Sequence, residues 1–242
     1  MVVVIVVVVA VLLIPAIASI RHTAVRSQCQ NNLRVIGTAT ASYSISHNFS
    51  LPPYFGDSSI LFDTLAMRSD TGAAVNLGAL LSETESPTSF YCPSQDADTS
   101  PCLAYNSPEN RWQMASSTSA PAASRGASGA SAPAQTGLWQ NSSYAARFRK
   151  SADAQIPSWT LLNHNNKVIY SDFIGVDDWA GRGRFTSRIR AAHSSAGYNR
   201  LFGDGVVLWT PSSQLDELRP ITAVEPTADE LARYWLLNDV LR

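Results

Sequence analysis

His193 and Asp204 are the pair in this chain that invites a chemical reading, because an imidazole near a carboxylate can act as an acid and base couple. No nucleophile accompanies them: Ser194 and Ser195 follow the histidine in a run of small residues, without the Gly-x-Ser-x-Gly elbow. The tight turn at Gly203, Asp204 and Gly205 accounts for the carboxylate by itself. In that reading Asp204 and Gly205 take positive backbone angles and His193 hydrogen-bonds across the loop. No catalytic residue is assigned, and the chain reads as a non-enzymatic protein.

Metal chemistry has two weak candidates. Asp172, Asp177 and Asp178, with Asp204, supply carboxylates of the kind calcium takes on β loops, but lack the D-x-[DN]-x-[DN]-G order of a dedicated calcium loop. Cys92 and Cys102 with His164 or His193 are possible zinc ligands, yet no pair has C-x2-C or H-x3-H spacing. The expectation is therefore no metal and no cofactor. Three cysteines are too few for a disulfide scaffold; Cys92 and Cys102 are the pair expected to bond, or to stay as two reduced thiols, which leaves Cys29 over as a free or buried thiol. In an oxidising compartment such a short loop contributes roughly 2 to 3 kcal/mol.

The charge balance excludes one function class. Eighteen Lys+Arg against 19 Asp+Glu leave a net charge of −1, with no surplus to neutralise phosphates, so nucleic acid is not an expected partner. Arg182, Arg184, Arg188 and Arg190 form a local basic stretch, read as a solvated loop. Trp139, Trp159, Trp179, Trp209 and Trp235 are read mostly as packing residues.

These groups need elements to hold them. Residues 1–20 are uncharged and apolar apart from Ser19, spanning roughly 30 Å as a helix, which predicts a membrane-spanning or filament-core segment kinked at Pro15. Arg21, His22 and Arg26 follow it with no basic residue before it; the positive-inside rule taken alone puts the domain in the cytoplasm, unless a basic leader precedes Met1 in a longer product. Residues 21–50 continue the helix with Val25, Cys29, Leu33, Ile36, Thr40 and Tyr43 as its apolar stripe, until HNFSLPP ends it. Residues 51–242 form the globular domain. Within it, Ser58 to Met67 and Ala73 to Leu81 read as short helices or turns, and the small-residue tract 115–136 as a flexible loop. Trp159 to Asn163, Lys167 to Asp172, Tyr198 to Phe202 and Val206 to Thr210 read as strands, the last two forming a hairpin. A capping box at Thr227 to Glu230 predicts a C-terminal helix with Leu231, Tyr234, Trp235, Asn238 and Leu241 on one face.

The apolar N-terminal run, RSQCQNNLRVIG at 26–37, NLGALL at 76–81, FYCPS at 90–94, SSY at 142–144, VIYSD at 168–172 and HSSAGYNRLFGDGVVLW at 193–209 occur in an order that resembles bacterial type IV prepilin-like and type II secretion pseudopilin-like proteins with a C-terminal H-x9-DG signature. Here the spacing is H-x10-DG, and the family's leader, Gly-Phe processing site and early helix glutamate have no counterpart. The resemblance implies an α+β pilin-like fold, a long N-terminal helix packed on an antiparallel sheet. It implies His193, Gly197, Asn199, Asp204 and Gly205 as structural signature residues. It also implies a structural subunit, a minor pilin or pseudopilin, whose partners are membrane lipid and other pilin-like subunits. The expected location is the cytoplasmic (inner) membrane, single-pass, with the domain extracytoplasmic or in a surface filament. The competing expectation is a membrane-tethered binding module for carbohydrate or an envelope protein.

Overall fold

The computed structural model describes residues 2–52, 63–67, 74, 76–84, 86–95, 105, 140–147, 161–172, 193, 196–214, 235–236 and 238–240. Helix α1 runs from Val2 to Ser46, 45 residues and roughly 68 Å at the usual rise, passing through Pro15. Its stripe from Cys29 to Thr40 is buried as the periodicity predicts: Cys29, Leu33, Ile36, Ala39 and Thr40 are at most 2% exposed. Termination comes before the prolines. Asn48 and Phe49 both adopt positive φ, unwinding the chain after Ser46, and the amide of Phe49 folds back onto the Ser44 carbonyl.

Among the described residues, five strands form one antiparallel sheet in the order β1 (Asp63–Met67), β2 (Gln140–Ala146), β3 (Val168–Asp172), β4 (Gly197–Phe202) and β5 (Val207–Pro211). The protein is thus α+β, with α1 lying on an antiparallel sheet. Tyr144, Ala146, Ile169, Tyr170 and Leu201 of the sheet share one core with Cys29, Leu33, Ile36 and Ala39 of the helix. Two 3₁₀ segments, Asn76–Glu83 and Pro87–Phe90, close that core with Leu77, Leu80 and Phe90.

Every residue of β3 and β4 is buried, which a sheet covered on one face alone would not permit. The second cover is the C-terminal segment, helical at 235–236 and 238–240, where Trp235 and Asn238 are buried. Tyr198 donates to the Asn238 side chain at 2.6 Å, and Arg200 donates to the Asn238 carbonyl. Arg147 forms a two-pronged ion pair with Asp239 at 2.8 and 3.1 Å. Asp239 also accepts from the Val168 amide at 2.8 Å.

Three expectations change. Asp63–Met67, read as part of a short helix or turn, is a strand on the sheet edge; a short apolar run does not distinguish the two, and pairing with β2 decides it. Leu161 to Asn163, the described part of the run Trp159 to Asn163 read as strand, belong to a 3₁₀ turn at Leu161–His164, because both edges of β3 are already taken by β2 and β4. The expected single-pass inner-membrane location is also corrected: among the described residues no helix is long and apolar enough to cross a membrane. The tract 115–136, Cys102, Asp177, Asp178 and the arginines 182–190 lie outside the described residues.

Candidate functional site

The signature histidine and aspartate stand at opposite ends of β4. His193 precedes Gly197 and Asp204 follows Phe202, so a six-residue strand of about 20 Å separates them and they form no couple. His193 instead turns to the neighbouring strand, its Nε2 lying 2.8 Å from Asp172 Oδ2. Asp172 ends β3, and Asn199 faces it from β4, donating to the same Oδ2 from its amide nitrogen at 3.0 Å and from its side-chain nitrogen at 2.6 Å. The imidazole is 7% exposed and the carboxylate fully buried, so the pair is closed to water. With Nε2 protonated the histidine donates to Asp172, the tautomer that this 2.8 Å contact requires.

Helix α1 supplies the opposite wall. Cys29, on its buried stripe, is disulfide-bonded to Cys92, which follows the 3₁₀ segment at Phe90. This corrects the expected Cys92 to Cys102 bond. The Cα atoms of Cys29 and Cys92 are 5.1 Å apart, because the helix stripe and the FYCPS string meet in the core. The sequence separation of 63 residues hid the pairing, although a cysteine on the buried stripe of an amphipathic helix was a signal for it. Cys92 Sγ lies 3.8 Å from His193 Nε2.

Trp209 of β5 roofs this end of the sheet. Its ring meets His193 edge-on at 5.2 Å, and the Arg26 guanidinium lies 4.0 Å from its centroid. Gly197 has to be glycine here: a Cβ would collide with the Thr210 carbonyl and the Trp209 ring. Tyr144, whose hydroxyl donates to the Cys29 carbonyl at 3.4 Å, has its pKa raised well above the usual phenol value by burial and then by the Asp172 charge. The chain thus brings Cys29, Cys92, Asp172, His193 and Asn199 together in one dry cluster. A sulfur, an imidazole and a carboxylate meet here, but Cys92 Sγ and Asp172 Oδ2 both approach the ring at Nε2, unlike a cysteine nucleophile whose base and orienting acid use the two ring nitrogens. With Cys92 bonded to Cys29, no thiolate is present either.

The other signature end is a turn. Gly205 donates to the Phe202 carbonyl at 2.9 Å and takes φ +83, while Asp204 keeps a negative φ, correcting the expectation that both residues turn left-handed. Asp204 instead accepts the Val206 amide at 3.1 Å through Oδ1, which fixes the three-residue loop. Asp172 and Asp204 therefore lie at opposite ends of the β3 and β4 pair, so these two carboxylates do not share one calcium site.

Beside the cluster, and bordered by its Cys92, a groove of about 340 Å³ runs along α1, lined also by Gln28, Asn32, Thr88, Tyr91, Gln95 and Tyr105. No family model, no curated protein and no solved structure matches the chain.

Proposed function

We propose that the chain is a structural subunit of a type IV pilus-like or type II secretion-like filament, a minor pilin or pseudopilin. It acts through burial of its N-terminal helix against helices of further subunits, and no bond is made or broken. One observation carries the reading: α1 changes character along its length. From Cys29 onward it is the domain's own core, whereas Val11, Ile14, Ile17 and Ile20 are 62–68% exposed. Aliphatic side chains left in water are each worth about 1.5 to 3 kcal/mol on full burial, so four of them supply a substantial drive for helix-to-helix assembly. Repetition of one such contact from subunit to subunit generates an open filament. The ordered strings that resemble those of prepilin-like proteins point the same way. The α+β arrangement of a long helix on an antiparallel sheet is compatible with a pilin-like subunit.

The test is assembly. The full chain examined by sedimentation and negative-stain microscopy is expected to form elongated assemblies. Ile17→Asp is expected to disperse them while leaving the circular dichroism of the domain unchanged. A wild-type chain that stays monomeric at every concentration, or an Ile17→Asp variant that assembles equally well, would remove the proposal.

A second reading, a carbohydrate-binding module, has the groove along α1 in its favour. Gln28, Asn32 and Gln95 offer amide donors and acceptors there, and Tyr105, 38% exposed, offers a ring face on which a sugar could stack. Glycan-array binding lost in Tyr105→Ala would support it, and an array without binding would dismiss it.

A further inference from the structure

We propose that Cys29, Cys92, His193 and Asp172 form a binding site for a thiophilic divalent cation of the zinc class, filled when the disulfide is reduced. The two sulfurs and His193 Nε2 lie within 4.8 Å of one another and all three residues are buried. A cation held at about 2.3 Å by thiolate and about 2.0 Å by imidazole places its ligand atoms some 3.3 to 3.8 Å apart. Cys92 Sγ and His193 Nε2 already stand 3.8 Å apart. Once the bond between the sulfurs is broken, side-chain rotation at Cys29 is enough to bring its thiolate to the third vertex. Asp172 Oδ2, 2.8 Å from Nε2, provides the fourth, with the cation replacing the proton the two now share.

A second observation points to a ligand in the same place. Asp172 Oδ1 and Asn199 Oδ1 are buried acceptors with no hydrogen-bond partner among the described residues. Buried acceptors left unpaired are costly, and a nearby cation or the water it brings would satisfy them. The surroundings suit a structural site: four protein ligands, no open position, and Trp209 excluding solvent. The exchange balances. A dithiol reductant gives two electrons and two protons to the disulfide and leaves as its own disulfide; as the cation binds, the two thiols release their protons to solvent and the proton on His193 Nε2 is exchanged for one on Nδ1. In the oxidised chain a covalent bond joins α1 to the segment after Phe90, and in the reduced chain the cation does so.

The experiment is a cobalt(II) titration of the full chain, reduced by a phosphine under nitrogen. One equivalent is expected to bind, with thiolate-to-cobalt charge transfer in the near ultraviolet and the visible bands of a tetrahedral site, while the oxidised chain shows neither. His193→Ala is expected to bind at least about 100-fold more weakly. Zinc X-ray absorption on the reduced wild-type chain is independent of any variant's folding, and two sulfur scatterers with a histidine signature are expected. A reduced chain that takes up no cobalt, a folded His193→Ala chain that binds as the wild type does, or a zinc shell without sulfur would overturn the proposal.

Discussion

At the start of β4, His193, Asp172 and Asn199 hold one another where water does not reach, whereas at its end Gly203, Asp204 and Gly205 turn the chain in the open. Both ends use an acidic side chain, to different purpose. Asp172 takes three donors on one buried oxygen, so its contribution depends on distant parts of the chain arriving together. Asp204 accepts the amide of Val206, two residues away, a bond that lies within the turn's own sequence. His193 and the Asp204-Gly205 pair are thus two anchors of one strand, the first fixing it to β3 and the helix wall, the second returning it into β5.

That contrast can be broken at the buried end first. Replacing Cys29 and Cys92 together by serine removes a closure spanning 63 residues, which on the chain-entropy model destabilises the protein by about 4 kcal/mol in urea unfolding. A change below about 1 kcal/mol would show that packing alone holds α1 to the sheet. Asp172→Ala strands the donors of His193 and Asn199 in a dry site and is expected to cost about 3 kcal/mol by the same measurement.

Alkaline titration sharpens the comparison. Burial raises the Tyr198 phenol from 10.0 to about 12. Its folded value lies above its unfolded one, so this stabilisation is complete below pH 10 and is lost as pH climbs through about 12. Ultraviolet phenolate absorbance should therefore show Tyr198 and Tyr144 ionising late and together with unfolding, and early ionisation in a folded chain would contradict their burial. The smallest effects belong to the open end. Gly205→Ala, at φ +83 but with free space around it, is expected to cost about 1 kcal/mol, and Asp204→Ala less than about 1 kcal/mol. Thermal melts on both variants measure this, and a loss as large as that of Asp172→Ala would erase the distinction between the ends.

What the sequence determined by itself follows from forces acting over a few residues. The stripe from Val25 to Tyr43 declared a helix through spacing of three and four, and GDG between apolar runs declared the hairpin, since both depend on local geometry alone. Trp235 and Asn238 were legible as a buried face for the same reason. Tertiary structure decided which partner each long-range group would take. Cys92 bonds Cys29, ahead of it in the chain, because the helix stripe and the FYCPS string enter one core. His193 pairs with Asp172, because antiparallel pairing brings the end of β3 beside the start of β4 and carries Asp204 to the far side. Periodicity encodes which face of an element is buried; it does not encode what waits on the other side, because that depends on the register and order in which separate elements pack.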